Sequence, residues 1–199
     1  MGRYAFNPFN GLIQVYRGAV TKQKLRRFHI AKFELQPDAA AVDSIRAAQT
    51  LGAAVVTATT GITQPDVARR LFITKSEAAI AGFLVVTGTD IADNVIVENI
   101  ALAGGTDKVS TKAFKTIVSI VYPIQTDVAQ TVTVGTDDCI GLPTLCSIDP
   151  ILKIRHNVTM ITAWTLYNSS SDISLCMVDP TGYTADGNWL EMFLVVAHE

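Results

Sequence analysis

The hydrophobic pattern of this chain has a period of two over most of its length. From residue 53 onward, short runs of Val, Ile, Thr and aromatic residues recur at roughly ten-to-twelve-residue spacing, separated by Gly, Asp, Asn and Pro. Runs at 54–59, 70–74, 82–89, 94–102, 114–122, 130–136, 151–156, 158–168, 172–178 and 191–198 predict strands. Turn residues at 88–90, 92–94, Gly104-Gly105 and Asp186-Gly187 separate several of them. In 158–168, Val158, Met160, Thr162, Trp164 and Leu166 share one predicted face, with Thr159, Ile161, Ala163, Thr165 and Tyr167 on the other. Many short strands in this rhythm predict a mainly β protein, an antiparallel β-sandwich or barrel-like domain.

Two segments depart from the alternation. Residues 1–35 hold no steady period of 2 or 3.6, and their aromatic residues are interleaved with Asn, Gly, Pro and basic residues. Such a segment cannot bury itself locally, so it is predicted to be an extended arm that docks elsewhere. Within it, 28–35 predicts a short strand, with Phe28, Ile30 and Lys32 alternating against His29, Ala31 and Phe33. Residues 38–51 predict one short helix: Asp38 as N-cap, an alanine-rich body, a stripe of Val42, Ile45 and Leu51, and Gly52 as the stop. The predicted organisation is thus an arm over 1–35, a linker with the short helix over 36–60, and a β-sandwich over 61–199.

The stretch GITQPDVARRLFIT (61–74) links the last two. Pro65 keeps Gln64 out of the helical conformation, and Asp66 is positioned to close the bend with its side chain. Arg69 and Arg70 then enter a strand. Consecutive strand residues point to opposite faces, so the pair cannot act as one phosphate clamp, and at most one arginine faces a partner.

Composition sharpens the picture. The hydrophobic share is 49% and only 17% of residues are charged, a balance expected where much surface ends in subunit contacts. No apolar stretch approaches the ~20 residues of a membrane span, and no signal-peptide pattern opens the chain, so synthesis in a reducing cytoplasm is expected. The charge is asymmetric. Residues 1–35 carry seven basic side chains and one acidic one, leaving nine basic and seventeen acidic for the rest. A basic arm on an acidic body favours a protein neighbour over nucleic acid, even though Lys22, Lys24, Arg26 and Arg27 flanked by aromatics have the ingredients for phosphate and base contacts.

The residues offer little to catalysis. His29, His156 and His198 are scattered, and no nucleophile elbow, zinc helix, phosphate loop or dinucleotide fingerprint accompanies them. Asp179, Asp186 and Glu191 in 179–191 miss the spacing of a calcium loop, and the segment reads as a long turn anchored by Trp189. Asp90, Asp93 and Glu98 are close in sequence, but Asp in a hairpin is turn chemistry; Glu98 shares a predicted face with Ile96 and Ile100. Cys139, Cys146 and Cys176 lack metal spacing and read as small buried hydrophobes. The triplets at Asn157 and Asn168 have the N-glycosylation form but no secretory context. No enzyme, cofactor or metal site is expected.

One resemblance adds to this reading. Residues Thr59 to Arg69, Val85 to Asp90, Asn94 to Ala103 and Ala113 to Pro123 resemble a pattern of tailed-bacteriophage virion structural proteins: a TTGIT-PDV-R entry, a V-GTD hairpin and an AFK-V-SI--P strand. The likeness covers about a third of the chain and departs from the pattern at Ala92-Asp93, where such hairpins often carry glycine. It implies a capsid decoration (cement) protein, assembled in the host bacterial cytoplasm and displayed on the virion surface. Its partners would be the major capsid protein and copies of itself, in a closed oligomer such as a trimer. The candidate interface is Arg3, Tyr4, Phe6, Phe9, Tyr16, Arg17, Lys22, Lys24, Arg26 and Arg27. The alternative is a head-fibre or tail component whose β-domain binds host glycans, with Trp164, Tyr167, Tyr183 and Trp189 as its aromatic candidates.

Overall fold

The computed structural model describes residues 4–7, 12–15, 27–126, 129–146 and 149–198, with side chains between residues 29 and 196. The described strands are β1 (Tyr4–Asn7), β2 (Leu12–Val15), β3 (Arg27–Leu35), β4 (Arg46–Thr50), β5 (Val56–Ala58), β6 (Arg69–Lys75), β7 (Phe83–Thr89) and β8 (Val95–Ala101). They continue with β9 (Asp107–Phe114), β10 (Thr116–Tyr122), β11 (Thr131–Gly141), β12 (Ile151–His156), β13 (Thr159–Ile161), β14 (Trp164–Tyr167), β15 (Met177–Pro180) and β16 (Leu190–His198). One 3₁₀ turn, Ile173–Leu175, precedes β15. The fold is mainly β, built from antiparallel sheets with a curled, half-barrel element.

Three sheets make the body. The first has the order β5-β10-β7-β8; the central one runs β14-β15-β11-β6-β9, with β4 also paired to β11; the third is β13-β12-β16-β3. Strands β1 and β2 pair as a separate ribbon, Tyr4 opposite Val15 and Phe6 opposite Ile13. Two hydrophobic cores result. Core one joins the first sheet to β6 and the start of β11, with Leu71, Ile73, Leu84, Val86, Ile100, Phe114, Ile120, Val132 and Val134 buried. Core two joins the third sheet to the end of β11 and β15, around Ile140, Ile154, Cys176, Val178, Leu190, Met192 and Leu194.

Strand β11 serves both cores. Its first half pairs with β4 (Thr131 opposite Thr50) and its last residues pair with β15 (Ile140 opposite Val178). On its other edge the register with β6 breaks between Thr136 and Ile140. Asp137, Asp138 and Cys139 occupy this bulge opposite Arg70 alone, where a strand bends and re-aims its side chains.

Several expectations need correction. The helix predicted over 38–51 does not form: this segment is irregular up to Ile45 and then becomes β4. Its polar backbone is taken by the sheet instead, Thr136 N–H donating to Ala41 O and Ile45 N–H to Val134 O. A Cβ on Gly135 would lie 1.8 Å from Ala41 O, so glycine there allows the segment to cross against β11. Pairing along β11 outweighs the helix propensity of the alanines. Ile45 and Leu51 are buried as expected, but Val42 is exposed.

The single strand predicted over 158–168 is two strands in different sheets, β13 beside β12 and β14 beside β15. The shared face is lost with it: Met160 is exposed, while Ile161 enters core two alongside Trp164 and Leu166. Strand β9, of which the predicted runs include only Phe114, pairs with β6. The segment 28–35 is the strand expected, β3, and pairs with β16 through nine positions from Leu35–Leu190 to Arg27–His198. Phe33 and Leu35 pack against core two, while Ile30 lies exposed.

Candidate functional site

The conspicuous polar cluster lies where β11 passes from one core to the other. On β6, Arg69, Leu71, Ile73 and Lys75 alternate onto the buried face, so a short apolar strip is flanked by two buried cations. Arg69 is only 1% exposed. Its Nε donates to Asp137 O (2.8 Å) and its Nη1 to Asp38 O (2.8 Å) and the Asp66 carboxylate (3.3 Å). Nη2 lies 3.6 Å from the Asp138 carboxylate, which also accepts the Ala185 amide at 2.9 Å. Asp66 accepts the Asp38 amide at 2.5 Å, so its carboxylate ties the linker to the strand entry rather than closing its own bend.

Arg70 points to the other face. Its Nε donates to the Asp137 carboxylate at 2.6 Å and its Nη1 to the Tyr167 hydroxyl at 2.9 Å, and its guanidinium carbon lies 5.2 Å from the Tyr167 ring centre. Asp179 completes the surroundings at 3.6 Å. Burial opposes the charge of Arg70, and the neighbouring Cys139 and Asp137 outweigh it, holding the guanidinium above its ordinary range. For Asp137 burial prevails: its carboxyl is pushed up despite the Cys139 amide and Arg70. The opposite aim of the two arginines is as expected, and both are engaged within the chain.

Lys75, at the far end of the strip, donates to the carbonyls of Ala78 (3.3 Å), Ile80 (2.9 Å) and Leu102. Burial, with Lys108 nearby, lowers its pKa. It closes the rim of core one by holding two loops.

The other candidates are equally committed. Asp90 accepts the amides of Ala92 (2.8 Å) and Asn94 (3.0 Å), and Asp93 pairs with Lys115 at 2.7 Å. Glu98 lies on the buried face with Ile96 and Ile100, accepting Thr111 N–H at 2.6 Å, its hydroxyl at 2.9 Å and Lys112 N–H at 3.2 Å. It fastens the edge of the first sheet to β9 of the central one. The aromatic candidates do not assemble into one platform. Trp164 gives its indole N–H to Asp149 (3.0 Å), Tyr167 lies against Arg70, and Tyr183 is buried. Trp189 is half exposed, so it does not anchor the 179–191 turn; Tyr183 is the buried aromatic residue there, with Ala185 and Leu190 also buried. His156 contacts Asp186 at 2.9 Å and Tyr183 edge-on at 5.1 Å. Among the described residues no group of three or more His, Cys, Asp or Glu is arranged to hold a metal, and no helix is long and apolar enough to cross a membrane.

Of the candidate interface residues, Arg3, Phe9, Tyr16, Arg17, Lys22, Lys24 and Arg26 lie outside the described residues. Tyr4 and Phe6 belong to β1, and Arg27 opens β3. Two surface features escaped the sequence reading. The outer side of the first sheet is uncharged, with Phe83, Val95 and Val97 more than half exposed beside Thr87 and Asn99. Beside it an open groove of about 520 Å³ runs between Val95, Val97, Lys112, Leu145, Asp172 and Ile173. The alternation of β8 signalled the first feature, since its second face is also valine-rich; the groove depends on distant loops and left no local mark. No family model, curated protein or solved structure matches the chain.

Proposed function

We propose that this chain is a non-enzymatic structural protein of a tailed-phage virion, a capsid decoration protein whose basic N-terminal segment grips the head lattice. The observation that supports it most directly is the joining of that segment to the body. The cluster Lys22, Lys24, Arg26 and Arg27 runs straight into β3, which is zipped to β16 along nine positions. A pull on the segment is therefore spread over a sheet edge and core two. Several charged side chains of the body pair with one another, whereas a lattice contact made by the segment would be repeated across many copies, where weak contacts multiply through effective concentration.

Self-association is assigned to the outer face around Phe83, Val95 and Val97. On a body with an excess of acidic residues, an uncharged face with exposed Phe and Val side chains is where two copies meet without like-charge repulsion. The test is a truncation lacking residues 1–26, cut just before β3, mixed with particles that lack this protein and sedimented. The expected result is a folded body with the thermal transition of the full chain and no particle binding. Undiminished binding by the truncated chain would overturn the proposal.

A further inference from the structure

We propose that Cys146 and Cys176 form a latent disulfide pair, which closes across core two when the chain meets a disulfide oxidant. The two residues are thirty apart in sequence, and the Cys146 amide donates to Cys176 Sγ at 3.3 Å. Cys176 is one of the neighbours that push the Cys146 thiol up, after burial itself. Both also aim at the same backbone: Cys146 Sγ donates to Tyr167 O at 3.6 Å, and Cys176 Sγ to Ser169 O at 3.3 Å. Cys146 and Ser169 form a β-bridge, and Leu142 N–H donates to Cys176 O at 2.8 Å, so the main chain is tied on both sides of the pair. Bond formation then requires the sulfurs to close to about 2.05 Å within this tethered backbone. Cys139 is not part of this arrangement; it is buried separately with Ala113 and Met177.

The chemistry is thiol–disulfide exchange. One cysteine thiolate attacks a low-molecular-weight disulfide such as glutathione disulfide, forming a mixed disulfide and releasing one glutathione thiolate. The second cysteine thiolate attacks the protein sulfur of that mixed disulfide and releases the second glutathione. Two protons leave the cysteines, and two electrons reduce the glutathione disulfide to two thiols. Burial raises the pKa of the Cys146 thiol, so little thiolate exists at neutral pH and the reaction is slow in the native fold. The pair thus stays reduced in a reducing compartment and closes after transfer to an oxidising one. For a virion component, host lysis is that transfer, but the proposal does not depend on the virion reading.

The experiment incubates the purified full chain with excess glutathione disulfide at about pH 8.5, with and without sub-denaturing urea to permit local opening. Free thiols are then counted in denaturant, peptides are mapped without reduction, and the melting temperature is measured. The expected product has one intrachain link between Cys146 and Cys176, a free Cys139, and a melting temperature higher by about 5–10 °C that dithiothreitol reverses. Cys139→Ala should oxidise identically. Three thiols surviving the urea-assisted treatment would overturn the proposal. So would stable glutathione adducts on the pair, a link to Cys139 or between chains, or a lower melting temperature. Because the readout is the wild-type linkage, it does not depend on whether Cys146→Ala or Cys176→Ala folds.

Discussion

Replacing Arg69 by methionine is the sharpest test of how the two cores are held together. The substitution keeps an unbranched stem as far as the position of Nε and removes every polar contact at the end: two carbonyls, Asp38 O and Asp137 O, and the carboxylates of Asp66 and Asp138. Removing one partner of a buried ion pair costs about 3–5 kcal/mol, because the remaining charge stays where water solvates it poorly. Here the Asp66 and Asp138 side chains are 21% and 28% exposed, so water reaches both once the cation is gone. That places the loss at the lower end, about 3 kcal/mol. For a chain of this length about 1 kcal/mol corresponds to about 2–4 °C, so Arg69→Met should melt about 6–12 °C below wild type, with a matching fall in urea midpoint. Arg70→Met should cost less, about 1–2 kcal/mol, since the guanidinium itself is less buried than that of Arg69, Asp179 is the more exposed partner and Asp137 keeps the Cys139 amide. Circular dichroism melts of the two variants decide the matter. An Arg69→Met melting temperature within about 2 °C of wild type, or a larger loss for Arg70→Met, would refute the assignment of Arg69 as the joint.

The attachment of β3 should depend on pH. The hydrogen bond from Lys32 holds Glu191 below its ordinary range against the opposing effect of burial, and Lys32 is raised by the same bond and by Glu34. Glu191 therefore contributes fully above its unfolded value of 4.5 and loses its contribution as acid protonates it, while Lys32 contributes fully below 10.5 and loses it in alkali. Hydrogen exchange over residues 27–35, corrected for intrinsic rate, should quicken near pH 3.5 relative to about pH 6 before core one loosens; equal protection at both would contradict the pairing. Joint replacement of Val95 and Val97 by glutamate should leave the melting temperature within about 2 °C, because both side chains lie at the surface, and should reduce the oligomer seen by light scattering. An unchanged mass distribution would remove this face from the proposed self-contact.

Most strands were legible because their signal is local. The alternation in β6, β7 and β8 is a direct imprint of one buried and one outer face. Failures came where distant partners decide. The alanine-rich 38–51 segment carries every local mark of a helix, yet its carbonyl at Ala41 is claimed by Thr136 from far along the chain. Strand β9 is polar because much of it is an outer face, and what pairs it is the edge of β6. The run over 158–168 kept its alternation through Thr162 and Ala163, where the chain leaves one sheet for another, a change that periodicity does not record. The arginine doublet was rightly read as split between two faces. Its partners were missed because the predicted strand ended at Thr136, one residue before Asp137-Asp138. A basic doublet and an acidic doublet, each at the margin of a predicted strand, were the available signal.

The placement of that charge cluster bears on the architecture. A strand shared by two cores has competing registers, because either half of β11 can slide against β6 without disturbing the other half's pattern of valines and threonines. An apolar residue at position 69 would tolerate such a slip, since one apolar environment substitutes for another. An arginine with one partner on the linker, one in the strand entry and two in the bulge does not, because each slipped register would bury its charge unpaired. The bulge at 137–139 and the arginine thus specify each other: the extra residues bring the Asp137 carbonyl and the Asp138 carboxylate to the guanidinium, and the guanidinium makes that one bulged register the solvated one. On this argument the joint contributes more to uniqueness than to total stability. The same substitution that lowers the melting temperature of Arg69→Met should also broaden its transition, as core two begins to open ahead of core one.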